Sequence, residues 1–187
     1  MAKRTSVKSL IRDLEPNELR EVILELCKLS PKNKQFLKLY LQSSDQANPE
    51  AVVEEAKKHI YVGFHGRSRF PKLDLRAARK AVSEYTKVLK EYPLQAAELK
   101  LYYVEVGTGI TDEFGDMYEG FYNSLGSMFA SFCKDVRDHP AWHSHFQGRI
   151  EALLLTTSYM GWGYGDEIAE LASELEESIV GEEEADA

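Results

Sequence analysis

The chain has 187 residues, of which 43% are hydrophobic, enough for a sizeable core and too apolar for a wholly disordered protein. Its formal net charge of −8 hides an asymmetry: residues 1–100 carry 20 Lys/Arg against 13 Asp/Glu, and residues 101–187 carry 3 against 18. So acidic a second half repels phosphates, which excludes the whole molecule lying along nucleic acid; the two halves are expected to attract each other or to face different partners.

Cys27 and Cys133 are the two cysteines. Both fall in helical patterns rather than at zinc-ligand spacing, as expected of two free thiols in a reducing compartment. The opening MAKRTSVKSLIRDLEP is basic but lacks the apolar run of a signal peptide. No stretch approaches ~18 consecutive apolar residues, so no membrane span is expected and a cytoplasmic location is the simplest reading.

In chain order, residues 6–14 predict a short helix with Val7, Leu10, Ile11 and Leu14 on one face. Pro16 suits the first turn of a helix over 16–29, with Leu19, Val22, Ile23 and Leu26 as its stripe. Ser30-Pro31 opens a third over 31–43 (Phe36, Leu37, Tyr40, Leu41), and Asn48-Pro49 a fourth over 49–61 (Val52, Val53, Ala56, Ile60). Residues 62–74, with two glycines and a proline, predict a loop. Asp74 is expected to cap a helix over 75–92, and Pro93 to start another that Gly107 and Gly109 terminate near Val106. Asp116 and Glu119 have capping-box spacing ahead of the strongest stripe in the chain: Tyr118, Phe121, Tyr122, Leu125, Met128, Phe129, Phe132 and Val136. Gly120 and Gly126 interrupt that helix, where a neighbouring backbone is expected to pack closely. His139-Pro140 ends it, helices follow over 145–158 and 166–180, and residues 181–187 read as an acidic disordered tail. LYYVEV and ALLLTT have strand-like composition but continue helical periodicity, so they are assigned to helices. The expectation is an all-α protein: about nine helices packed as stacked helical hairpins in one compact domain. Residues 1–61 would form an N-terminal helical subregion, 62–74 a basic loop and 75–180 the main bundle.

Two stretches share one pattern. LKLYYVEVGTGITDEFGDMYEG and SYMGWGYGDEIAEL each run from an apolar element through a glycine-aromatic break to carboxylates and a new helix. If the two breaks meet, Tyr102, Tyr103, Asp112, Glu113, Asp116, Tyr122, Trp162, Tyr164, Asp166 and Glu167 would line an acidic-aromatic cleft, since aromatics with a few convergent polar groups make a ligand site. Carboxylates from two loops also suit a hard cation such as Mg²⁺, giving a divalent-metal-dependent hydrolase using Asp112, Asp116 and Asp166 as an alternative. The plainer reading makes Asp116 and Asp166 helix caps, so no metal site is assigned. Gly161 to Gly165 resembles a phosphate-cradling turn, but Asp166 and Glu167 would repel an anion there and the strand context is missing. His139, His143 and His145 lack metal-ligand spacing and read as a polar linker. A second alternative is a nucleic-acid-binding protein using 57–80. There Lys57, Lys58, Arg67, Arg69, Lys72, Arg76, Arg79 and Lys80 are interleaved with Tyr61, Phe64, His65 and Phe70, a mixture suited to phosphate contacts and base stacking. Arg67, Arg69, Lys72 and Arg76 are its phosphate candidates. A basic surface pairing with the protein's own acidic half is the preferred reading. No nucleophile motif and no Walker A motif occurs, so no catalytic residue and no cofactor are assigned.

The stretches SVKSLIRDLEPNELREVILELCKLSPKNKQFL, FPKLDLRAARKAVSEY, LKLYYVEVGTGITDEFGDMYEGFYNSLGSMF and GWGYGDEI resemble a bacterial family of small all-helical proteins of unknown function. The resemblance covers most of the chain, in order, up to the acidic tail; HPAWHSH is not associated with that family. It implies a single compact helical unit in a bacterial cytoplasm and supplies no activity and no catalytic residues. The functional expectation is a non-enzymatic binding or protein-interaction module with a protein or small-molecule partner. Nucleic acid is a less favoured partner, and oligomeric state is open.

Overall fold

The structure, a computed structural model, describes residues 6–41, 48–66 and 70–185, with side chains as far as 181. Among the described residues there are nine α-helices and no strand: α1 (Val7–Arg12), α2 (Pro16–Leu29), α3 (Pro31–Leu41), α4 (Pro49–His65), α5 (Leu75–Val88), α6 (Pro93–Phe114), α7 (Glu119–Arg137), α8 (His143–Thr157) and α9 (Tyr164–Ala185). A 3₁₀ turn, Pro140–Trp142, precedes α8. The starts follow local chemistry. Proline opens α2, α3, α4 and α6, where its missing N–H costs nothing and its φ is already helical. Orphan N–H groups of the first turn find side-chain acceptors: Ser6 takes Ser9 N (3.2 Å), Asn48 takes Ala51 N (2.9 Å) and Asp74 takes Ala77 N (3.0 Å). Ahead of α2, Glu18 reaches back to the Glu15 N–H at 2.9 Å.

The chain divides into two units, residues 1–47 and 48–187. In the first, α2 packs along α3, and Leu39 alone is buried among the described residues. The stripes expected to form a core there are largely exposed, including Val7, Leu10, Ile11, Val22, Leu26 and Tyr40. In the second unit α6 is central, touching α4, α5, α7 and α8, while α9 packs on α7 and α8. Phe64, Tyr103, Phe121, Phe129, Phe132, Phe146 and Tyr164 fill the core. Five pairs of sequence-neighbour helices pack on each other: α2 on α3, α4 on α5, α5 on α6, α6 on α7 and α8 on α9.

Several expected boundaries shift for identifiable reasons. The division falls at 47/48 rather than 61, because α4 buries Val52, Val53, Ala56, Ile60 and Phe64 and packs on α5 and α6. Helix α4 continues to His65, shortening the expected 62–74 loop, and stops at Gly66, whose φ of 68° favours glycine. Helix α6 passes through Gly107 and Gly109 and ends at Gly115, φ 86°. Each interior glycine costs about 1 kcal/mol relative to alanine, and burial of Tyr103, Val104, Ile110 and Leu101 on the same helix outweighs this. Asp116 caps nothing: α7 starts at Glu119 after Tyr118. Asp166 lies inside the first turn of α9 rather than before it. Helix α5 ends at Val88, and the helical backbone of α9 runs on to Ala185 through residues expected to be a disordered tail. Residues 42 and 43, expected to close the third helix, lie outside the described residues.

Helices α4 and α5 touch through a glycine. A Cβ on Gly63 would stand 2.8 Å from Ala78 N and 2.9 Å from its Cα, backbone atoms that cannot step aside. Gly63→Ala is therefore expected to lower stability by about 2 kcal/mol, whereas Gly109→Ala, mid-helix with nothing within 4 Å of the new methyl, should raise it by about 1 kcal/mol. Chemical denaturation of both variants checks the opposite signs.

Candidate functional site

The two glycine-aromatic corners meet. Tyr122, from the first turn of α7, donates its hydroxyl to Asp116 Oδ1 at 2.8 Å and accepts the Met117 N–H at 3.1 Å. Its ring lies 5.0 Å from that of Tyr164, the first residue of α9. Tyr164 and Thr108 share a buried hydroxyl–hydroxyl bond of 2.7 Å, which ties the start of α9 to the middle of α6. On the outside, the Tyr159 hydroxyl donates to the Asp112 carboxylate. Gly161 is bare against Asp116: a Cβ there would stand 2.8 Å from Oδ2. Burial raises the Tyr122 and Tyr164 phenols above their ordinary range, so both stay neutral hydrogen-bonding groups.

Two buried tyrosine rings fill the junction, and the ten residues of the expected cleft do not share one surface. Tyr122 and Tyr164 are interior. Asp112, Glu113, Asp116 and Trp162 are on the surface, as is Asp166. Tyr102 and Tyr103 belong elsewhere. Adjacent residues on a helix point about 100° apart, so they face different neighbours. Tyr103 is buried 4.8 Å from the Phe64 ring, its hydroxyl 2.7 Å from Ser124 Oγ. Tyr102 lies under Lys57, whose Nζ is 5.3 Å from its ring centroid, beside a hollow of about 470 Å³ that Tyr61 and Lys58 also line. Glu167 turns inward onto Gly126, where the close neighbour is its carboxylate and not the backbone expected at that glycine. Burial, then the neighbouring Glu170 charge, pushes the Glu167 carboxyl up.

Of the six cations of the basic segment among the described residues, four bond within the protein. Lys57 pairs with Glu98 at 2.9 Å, Lys72 with Asp74 at 3.0 Å and Lys80 with Glu84 at 3.7 Å. Arg79 donates to Ser124 O (3.0 Å) and Ser127 Oγ (2.9 Å) on α7. Arg76 is exposed; Arg67 and Arg69 lie outside the described residues. Of the histidines, His139 stacks on Trp142 (4.0 Å between centroids, 5° between planes), His143 Nε2 stands 2.8 Å from Glu176, and His145 meets the edge of Phe146. Among the described residues no three His, Cys, Asp or Glu side chains group as a metal ion would need, so Asp112, Asp116 and Asp166 do not converge. Cys133 is buried and its thiol is pushed up to about 12 by that burial, against a smaller downward pull from Arg137; Cys27 is half-buried, and both are free thiols.

One cluster went unrecognised in the sequence. Arg149 of α8 grips Glu105 through Nε (2.7 Å) and Nη2 (2.6 Å) and reaches Glu98 through Nη1. Glu98 also holds Lys57 of α4. These groups border a groove of about 410 Å³ that Glu50, Glu54 and His145 share. Burial alone would raise the Glu98 carboxyl, but Lys57 and Arg149 together hold it below its usual range. A signal was available: Glu98 and Glu105 are seven apart on one face of α6, and Arg149 is one of three cations after residue 100. Every charge in the cluster has an opposite partner, so the arrangement locks α4, α6 and α8 together and offers no group poised for chemistry.

In comparisons with known proteins, no family model, no curated protein and no solved structure matches this chain. Among the described residues no helix is long and apolar enough to cross a membrane.

Two expected outcomes follow from these environments. Arg149→Met strands Glu105 and leaves Glu98 with Lys57 alone, and should cost about 2 kcal/mol. A depressed carboxyl contributes stability above the ordinary carboxylate range and loses it as the pH falls through its folded value. The gap between wild type and Arg149→Met should therefore narrow below about pH 4, read by denaturant titration at several pH values. Glu167 has the opposite sign: its raised carboxyl favours the fold when protonated and opposes it as the pH rises. Glu167→Gln should raise the melting temperature at pH 7 and lose that advantage in acid; an equal or lower value at pH 7 would refute the assignment.

Proposed function

We propose that this chain is a non-enzymatic protein-interaction module whose contact surface is the acidic-aromatic shoulder over the joined corners. The observation that carries this reading is Trp162. Its indole is 62% exposed and its backbone sits at φ 61°, a left-handed conformation that a bulky residue adopts only at a cost. Neither burial nor backbone preference accounts for a tryptophan here, whereas an exposed indole is the commonest kind of anchor at an interface. Tyr159 and Tyr118 are likewise exposed, at 66% and 52%; Asp112 accepts from Tyr159, and Asp116 lies against Gly161, next to Trp162 in the chain.

The partner this surface fits is a Lys- or Arg-bearing segment of another protein. A cation can lie on an aromatic face and reach a carboxylate in the same move. The partner is macromolecular rather than a small molecule, because Tyr122 and Tyr164 occupy the space between the corners. The resemblance to a bacterial helical family supports a cytoplasmic setting and adds no activity. The nucleic-acid alternative loses support because Lys57, Lys72, Lys80 and Arg79 are held by the protein's own groups.

A labelled lysine-rich peptide titrated with the protein should bind by fluorescence anisotropy, with an affinity that falls as salt rises. Trp162→Gly should abolish the binding without lowering the melting temperature, since glycine adopts φ 61° without the roughly 1–2 kcal/mol cost of a side chain there. Peptide binding to Trp162→Gly as tight as to the wild type would remove the proposal. Tight binding of a single-stranded oligonucleotide in place of the peptide would return the argument to residues 57–80.

A further inference from the structure

The first unit carries an open apolar groove of about 620 Å³ between α2 and α3. Helix α2 lines it with Leu24, Cys27 and Lys28, spaced i, i+3, i+4; α3 lines it with Lys34, Leu37, Lys38 and Leu41, spaced i, i+3, i+4, i+7. Each helix thus turns one face to the groove. The lining combines three leucines and a half-buried thiol with three lysines. Leu24 and Leu41 are 60% and 70% exposed. Two helices with so little buried between them form an incomplete core, and a third helix laid in the groove completes it.

Charge selects the occupant. Helix α3 has three lysines and no carboxylate. On α2, Lys28 has Glu25 at 2.6 Å on the exposed surface. Residues 1–47 together hold nine Lys/Arg against six Asp/Glu. A basic helix would be repelled, and a second copy seated through the same groove would set lysine against lysine. We infer that the α2–α3 groove receives an amphipathic helix of another protein, with a leucine-type stripe flanked by Asp and Glu. The eleven residues of α3 span about 16 Å, so the occupant contributes about three turns. This docking site is separate from the acidic-aromatic shoulder, and neither reading depends on the other.

The test uses the full chain and two labelled helical peptides of about 18 residues, both with leucines at i, i+3, i+4 and i+7, one flanked by glutamates and one by lysines. The glutamate peptide should bind by fluorescence anisotropy and slow maleimide alkylation of Cys27 at least about tenfold, with buried Cys133 unreactive throughout. The lysine peptide should do neither. Lys34→Glu with Lys38→Glu should reverse that preference. Leu24→Ser should weaken the glutamate peptide about tenfold with an unchanged far-UV spectrum, because Leu24 is exposed. Equal binding of the two peptides, or binding of neither, overturns the inference. So does a dimer in sedimentation that Leu24→Ser with Leu41→Ser dissociates, because the groove would then belong to a second copy.

Discussion

Helix α6 has to be enclosed. Its buried positions, Ala97, Leu99, Leu101, Tyr103, Val104, Thr108, Ile110 and Thr111, do not confine themselves to one stripe, so one neighbouring helix cannot cover it. It is wrapped by α4, α5, α7 and α8, with α9 laid over α7 and α8. Enclosure forces polar accounting, because a hydroxyl inside a core needs a partner. Tyr103 finds Ser124 on α7, and Thr108 finds Tyr164 at the head of α9. Those two bonds fix how α7 and α9 are placed along α6. The meeting of the two corners follows from that placement rather than from any attraction between their carboxylates.

Around this frame the charges divide into two kinds. Some are internal fasteners: Arg149 with Glu98 and Glu105, Lys57 with Glu98, Lys100 with Asp135 at 2.6 Å. Half-buried pairs of this sort are orientation-specific and cost desolvation, so their value lies more in defining which helix faces which than in added stability. The others stand outside. The carboxylates of the α6–α7 corner and the lysines of α3 each sit beside exposed apolar side chains, a combination suited to recognition. The charge asymmetry of the sequence is therefore only partly consumed by internal pairing.

The proline-led helix starts were legible in the sequence, whereas the stops of α4, α6 and α9 were not. A start is local: Pro16, Pro31, Pro49 and Pro93, with Asn48 and Asp74 as caps, act within one turn. A stop is decided by what surrounds it. Gly107 and Gly115 look alike in sequence, yet the first accommodates the Leu125 side chain inside a helix and the second closes that helix at φ 86°. The repeated glycine-aromatic-acid pattern marked two stretches that do meet, but it put the first break at Gly107 and Gly109, where α6 continues to Gly115, and composition could not tell that Tyr122 and Tyr164 would fill the junction. Nor could it separate Tyr102 from Tyr103, which point to different surroundings. The Arg149 cluster was hidden because its members lie 44 and 51 residues apart in sequence. In the first unit the stripes were visible, but their lack of cover was not, since periodicity reports a face and not its neighbour.

The opening of α4 has one more implication. Asn48 caps its own helix, Pro49 supplies the first-turn geometry, and the Ala51 N–H is satisfied three residues downstream of the cap. Everything that launches the second unit is encoded within a few residues of its boundary. A start of this kind draws its first-turn hydrogen bond and backbone angle from its own residues, so the geometry of that turn asks nothing of the sequence ahead of Asn48.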